Sequence, residues 1–133
     1  MKKLVIASLG LAFIAGLASC KKSDDELVIP SATIEMAAPG LNQVFQPGDT
    51  VNIKATISGN VTLHGYHVAI VDRQSGDSLF HASSHGHAAT LEVNEQWVNS
   101  MSGPADLRLY ISSTINHEGL ETTKTIDFSS RLN

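Results

Sequence analysis

The sequence predicts an all-β fold, an antiparallel sandwich of about seven short strands. Three observations carry this. Val51, Ile53, Ala55 and Ile57 alternate with Asn52, Lys54 and Thr56, the period of two that a half-buried strand requires. Turn-forming residues recur along the chain, in Pro39-Gly40, Pro47-Gly48-Asp49, Ser58-Gly59-Asn60, Arg73-Gln74-Ser75-Gly76 and Gly103-Pro104. That punctuation, with turns at roughly 8 to 12 residues in the first half of the domain, is the spacing of a sandwich. Beyond the first 20 residues or so, no sustained 3.6-residue apolar period marks a long helix, and no heptad repeats.

Taken in order, the chain of 133 residues opens with Met1-Lys2-Lys3, a short basic segment, and then runs apolar or small from Leu4 to Ala18. As a helix those residues would reach roughly 22 Å, at 1.5 Å each. A hydrocarbon core is roughly 30 Å thick, so residues 1–19 read as a removable signal peptide rather than a membrane span. Residues 20–29 follow as a tether around Lys21-Lys22-Ser23-Asp24-Asp25-Glu26, polar and without periodicity. The domain proper is expected over 30–133. Ala32 to Met36 is its first strand, and Val51 to Ile57 its second, broken at Ser58-Gly59-Asn60. Gly65 to Asp72 is apolar on both faces, as a central strand would be. Gly76 closes a hairpin, because it can take a positive φ. Ser78 to His81 returns, and Ala88 to Val93 continues the sheet. Asn94 is read as the cap of a single helical turn over 95–100, with Trp97 and Met101 inward. Leu107, Leu109 and Ile111 alternate again, and Leu120 to Phe128 is the last strand. The expected core is Val51, Ile53, Ile57, Val68, Ile70, Leu91, Val93, Leu107, Leu109 and Ile126.

Leu17-Ala18-Ser19-Cys20 resembles the lipobox of bacterial lipoproteins. In that family the cysteine is acylated and becomes the first residue after cleavage. Cys20 is the chain's single cysteine, so no disulfide can form within it, and lipidation accounts for the odd thiol. The run Ser23-Asp24-Asp25-Glu26 is also similar to surface-export signals of some Gram-negative lipoproteins; as a charged spacer it needs no such role. Phe45-Gln46-Pro47-Gly48-Asp49-Thr50-Val51 resembles the entry into the second strand of bacterial immunoglobulin-like domains. Gly103-Pro104-Ala105-Asp106-Leu107-Arg108-Leu109 resembles the entry into their sixth. The chain as a whole is similar to small bacterial Ig-like lipoproteins. That resemblance implies an Ig-like sandwich held at the outer membrane, on its periplasmic face or at the cell surface, and implies no particular activity.

Composition narrows the chemistry. The net charge is −4, and removing Lys2 and Lys3 with the leader leaves 7 basic against 13 acidic residues, or −6. Such a chain lacks the cationic surface that nucleic acid binding requires. There is no G-x-S-x-G elbow and no glycine-rich loop opening a helix. His117-Glu118 lacks the second histidine of H-E-x-x-H, since position 121 is Glu121. Nothing assembles a nucleophile, a base and oxyanion donors, so no enzyme is expected.

The histidines stand out. All six, His64, His67, His81, His85, His87 and His117, lie within residues 64–117. His85-Gly86-His87 is an i, i+2 pair, which on a strand would place both imidazoles on one face. If Asp72 pairs with Asp77 across the hairpin, Val68 faces His81 and His64 comes beside His85. A slip of one residue sets His67 opposite His81 instead. Either register gathers histidines from neighbouring strands, and the loop holding His117 belongs to the same end of an Ig-like sandwich. Imidazole suits zinc and copper, and Glu118 adds a spare oxygen donor. As ordinary strand and loop residues the same histidines would simply be solvated. The function expected first is therefore a non-enzymatic binding or accessory module, anchored to the membrane by lipid and meeting a protein or glycan partner. The alternative is a lipoprotein that binds zinc or copper through its histidines.

Overall fold

A computed structural model describes residues 26–133, and every one of its elements is a strand. The signal peptide, Cys20 and the tether as far as Asp25 lie outside the described residues. The strands are β1 (Ala32–Ala38), β2 (Val44–Phe45), β3 (Thr50–Leu63), β4 (Tyr66–Asp72), β5 (Ser78–Ser84), β6 (Ala88–Val98), β7 (Ala105–Thr114) and β8 (Glu121–Ser130). They form a three-stranded sheet, β1-β3-β6, and a five-stranded sheet, β2-β8-β7-β4-β5. This is an Ig-like β-sandwich. The eighth strand beyond the expected seven is the two-residue β2, and it pairs with β8 in parallel, whereas all other pairs are antiparallel.

The core follows from the alternation. Val51, Ile53, Ala55 and Ile57 of β3 face Val68 and Ile70 of β4 and Leu107, Leu109 and Ile111 of β7 as one buried cluster. Of the expected core, Leu91 and Ile126 are partly buried and pack against its edge; the other eight are buried. Lys54 is exposed beside fully buried Ile53, as the period of two demands.

Three local expectations are corrected. Ser58-Gly59-Asn60 does not end β3, which runs for 14 residues with a register shift between Ser58 and Leu63. Gly59 makes this turn-rich stretch strand-compatible, because a Cβ there would meet Leu63 Cδ2 at 2.7 Å. The helical turn over 95–100 is absent, because β6 continues to Val98, paired with Thr50. Val93 and Trp97 are buried and half-buried Glu95 lies between them, so the period is two; a polar residue at the middle position disguised it. Glu95 is accommodated because the Tyr66 hydroxyl donates to its Oε1 at 2.8 Å across the two sheets. Loss of hydration first, and then this bond, push the Tyr66 phenol above its ordinary range.

The third correction concerns the β4–β5 hairpin. The expected closure forms, with Asp72 N–H donating to the Asp77 carbonyl at 3.0 Å and Gly76 at φ 79°. The register then shifts between Ile70 and Val71, so that Ala69, not Val68 or His67, sits opposite His81. A bulge at Leu79 thus displaces every pair beyond it by one residue.

Strand directions define two poles. The β3–β4, β5–β6 and β7–β8 connections share one end with the start of β1, where Ala32 pairs with Gly59. The β4–β5 hairpin, the start of β3 and the end of β8 share the other, where the buried Asn99 amide donates to the Gln46 carbonyl and to Ser130 Oγ.

Candidate functional site at the histidine pole

The first pole gathers four of the six histidines, each from a connection. His64 lies between β3 and β4, and its N–H donates to the Thr114 carbonyl of β7 at 2.9 Å. Gly65 beside it has φ 104°, a left-handed backbone that favours glycine. Its carbonyl accepts from buried Ser113 Oγ at 2.7 Å. A Cβ on Gly65 would collide with the Ser84 carbonyl and stand 3.1 Å from His85 Cα. The missing side chain is what lets the end of β5 pass against this link and brings His85 toward His64.

His85 and His87 occupy the β5–β6 connection rather than a strand, so the one-face argument for the pair does not apply. They meet nonetheless, with Nε2 atoms 3.0 Å apart and ring centroids at 4.8 Å. The His64 ring lies 4.9 Å from that of His87 and 4.1 Å from that of His117. His117 tips the β7–β8 connection, where Asn116 Oδ1 accepts from the Glu118 and Leu120 N–H groups and buried Ile115 N–H donates to the Leu120 carbonyl. The loop is therefore held by its own backbone and the Asn116 side chain, and leaves His117 exposed. The other two histidines stand as a separate pair on the outer face of the five-stranded sheet, His67 and His81, with ring centroids 6.0 Å apart. The six-histidine cluster expected from the sequence is thus a group of four and a group of two. His67 and His81 are diagonal neighbours, because the Leu79 bulge sets Ala69 opposite His81 and so turns both histidines to the outer face.

Electrostatics bear on the four together. His64 is half-buried, and loss of hydration lowers its pKa below the ordinary histidine value. Repulsion by His117, His87 and His85 lowers it further. A neutral imidazole is the form that offers a lone pair to a cation.

The short His85–His87 contact has two chemical readings, a shared proton or a shared ion. Two nitrogens each about 2.05 Å from one ion stand about 2.9 Å apart at a right angle and about 3.3 Å apart at the tetrahedral angle. The observed 3.0 Å lies within that interval. Among the described residues no three His, Cys, Asp or Glu side chains already converge in coordinating geometry. Beside this pair the His64 ring stands edge-on to His87, and His117 lies tilted against His64. Glu118, expected as a spare ligand, is exposed on the same loop.

Sequence reasoning found the histidines but not what positions them. Gly65 and Ser113 carry no chemical signature, and their role follows only from the close approach of two chain segments. Another surface feature lies away from this pole, a shallow depression of about 300 Å³ on the three-stranded sheet. Lys54, Thr56, Glu92 and Asn94 line it, and Thr56 Oγ1 donates to Glu92 there at 3.0 Å. Comparison with known proteins finds no matching protein family and no matching curated protein.

Proposed function

We propose that the chain is a non-enzymatic envelope lipoprotein whose Ig-like domain is a binding module, with a zinc or copper ion as the ligand of its histidine pole. The observation that carries this reading is the 3.0 Å approach of His85 and His87 Nε2, with His64 edge-on to His87 and His117 tilted against His64. The β3–β4 and β7–β8 connections correspond to two of the loops that form the binding end of variable Ig domains. The analogy supports the choice of end and not of ligand. A protein or glycan partner has less in its favour, since Tyr110 is the one large aromatic exposed on the outer face of the five-stranded sheet among the described residues. The membrane attachment rests on the lipobox around Cys20.

The test is thermal melting after chelator treatment, with and without zinc or copper. Ligand at 100 times Kd stabilises a fold by about 2.7 kcal/mol. For a domain of about 100 residues that corresponds to a rise of roughly 10 to 20 °C in Tm. The rise should vanish in the His85→Ala/His87→Ala double variant and shrink in His64→Ala. No rise in the parent protein, or an equal rise in the double variant, would refute the metal site.

A further inference from the structure

Leu27, Val28 and Ile29 are 91, 62 and 79% exposed, the longest run of exposed large hydrophobics among the described residues. Others, such as Leu41, Val98 and Leu132, are separated along the chain. Single exposed apolar residues are ordinary; three in succession at the start of a folded domain are a feature to be explained. The run is also held. Asn60 Nδ2 donates to the Ile29 carbonyl at 2.9 Å, Asn60 Oδ1 accepts from Ser31 N–H at 2.8 Å, and Asn60 N–H donates to the Ser31 carbonyl at 3.1 Å. These three bonds extend the β1–β3 ladder past Ala32 and fix the direction in which the apolar residues leave the domain.

We infer that Leu27-Val28-Ile29 is a second membrane contact, lying in the bilayer interface, and that it turns the histidine pole toward the membrane. This rests on the reading of Cys20 as the acylated residue. The span from Cys20 to Leu27 is 7 residues, no more than about 25 Å when fully extended. Acylation at Cys20 would therefore hold the apolar run permanently within reach of lipid. An association too weak to persist between free partners becomes effective when it is intramolecular. Leu120, 44% exposed on the β7–β8 connection, adds apolar surface at the same pole. The β4–β5 hairpin, at the other pole, faces away.

Acylation blocks the Cys20 sulfur, so a cysteine introduced by Thr62→Cys at the histidine pole or Gln74→Cys at the hairpin can carry a fluorophore selectively. Both positions are exposed. Each labelled protein, purified with its lipid, is placed in phosphatidylethanolamine–phosphatidylglycerol vesicles bearing a headgroup quencher, and its mass reports acylation. The label at position 62 should be quenched and the label at 74 spared. The difference should be lost in Leu27→Ser/Val28→Ser/Ile29→Ser and in Asn60→Ala, although both variants remain acylated and vesicle-bound. Equal quenching of the two labels in an acylated parent protein would overturn this inference and leave the lipoprotein reading intact. An unacylated Cys20 would overturn the lipoprotein reading itself, and the inference with it. A dimer in detergent that the triple variant converts to monomer would show that the run seals two copies together, and would likewise overturn the membrane contact.

Discussion

At the scale of single residues, the histidine pole is assembled by Gly65, which has no side chain, and by the buried Ser113 hydroxyl that bonds its carbonyl. Gly65 admits the Ser84–His85 backbone, and its positive φ turns the chain between β3 and β4. The histidines themselves were legible, because six of one titratable residue within residues 64–117 is conspicuous in any reading. Their division into four and two was not legible, because it depends on where the strands end and on a bulge at Leu79, without sequence signal, that turns His81 to the outer face beside His67. His64 supplies the residue-scale prediction. Its pKa is lowered in the fold, by lost hydration and by His117, His87 and His85 around it. The folded state therefore binds fewer protons here than the unfolded chain does. The stability this contributes is complete above about pH 6.5 and is lost as pH falls through the lowered value. In metal-free protein, Tm should decline as pH falls from 7.5 to 5.5, and the decline should be shallower in His64→Gln. Identical pH profiles for the two proteins would remove His64 as a source of acid sensitivity.

Among the elements, the central strands were the most legible and the connections the least. β3, β4 and β7 announce themselves, since a period of two or an unbroken apolar run leaves little alternative. The sequence pattern ends β6 at Val93, because Glu95 occupies an inward position that its bond to Tyr66 makes tolerable. β2 was missed for a different reason: two residues are too few to show any period, and their pairing with β8 is long-range. β4 supplies the element-scale prediction. Its Val68 and Ile70 are fully buried between β5, β7 and the opposite sheet. Ile70→Ala should cost about 2 to 5 kcal/mol, as lost transfer energy and an unfilled cavity. Chemical denaturation would show this as a lower midpoint at unchanged slope. Lys54→Ala, on an exposed position of β3, should change stability by less than about 0.5 kcal/mol. A reversal of these two effects would contradict the assigned faces of the strands.

For the molecule as a whole, the decisive feature is how the segment between β1 and β3 is joined to the last strand. The segment before β3 is joined to the last strand by three backbone bonds. Asn42 N–H donates to the Asp127 carbonyl, Ser129 N–H to that of Gln43, and Arg131 N–H to that of Phe45, at 2.7, 3.0 and 2.9 Å. β2 and β8 run parallel, and the chain enters the sandwich at one pole and leaves it at the other. Tension applied between the entry and Asn133 would therefore load these bonds together, in shear, instead of opening them one after another like a zipper. Resistance to pulling should thus reside in the contact of β2 with β8 rather than in the apolar core. Arg131 separates the contributions, because its guanidinium also pairs with Asp106 at 2.5 Å. Arg131→Ala removes the ion pair and keeps the N–H, whereas Arg131→Pro removes both. In single-molecule stretching, the proline variant should unfold at clearly lower force than the alanine variant. Equal forces would mean that the load is carried elsewhere. A domain tethered to a cell envelope by one end and tugged at the other would keep its shape through that patch of β2 and β8.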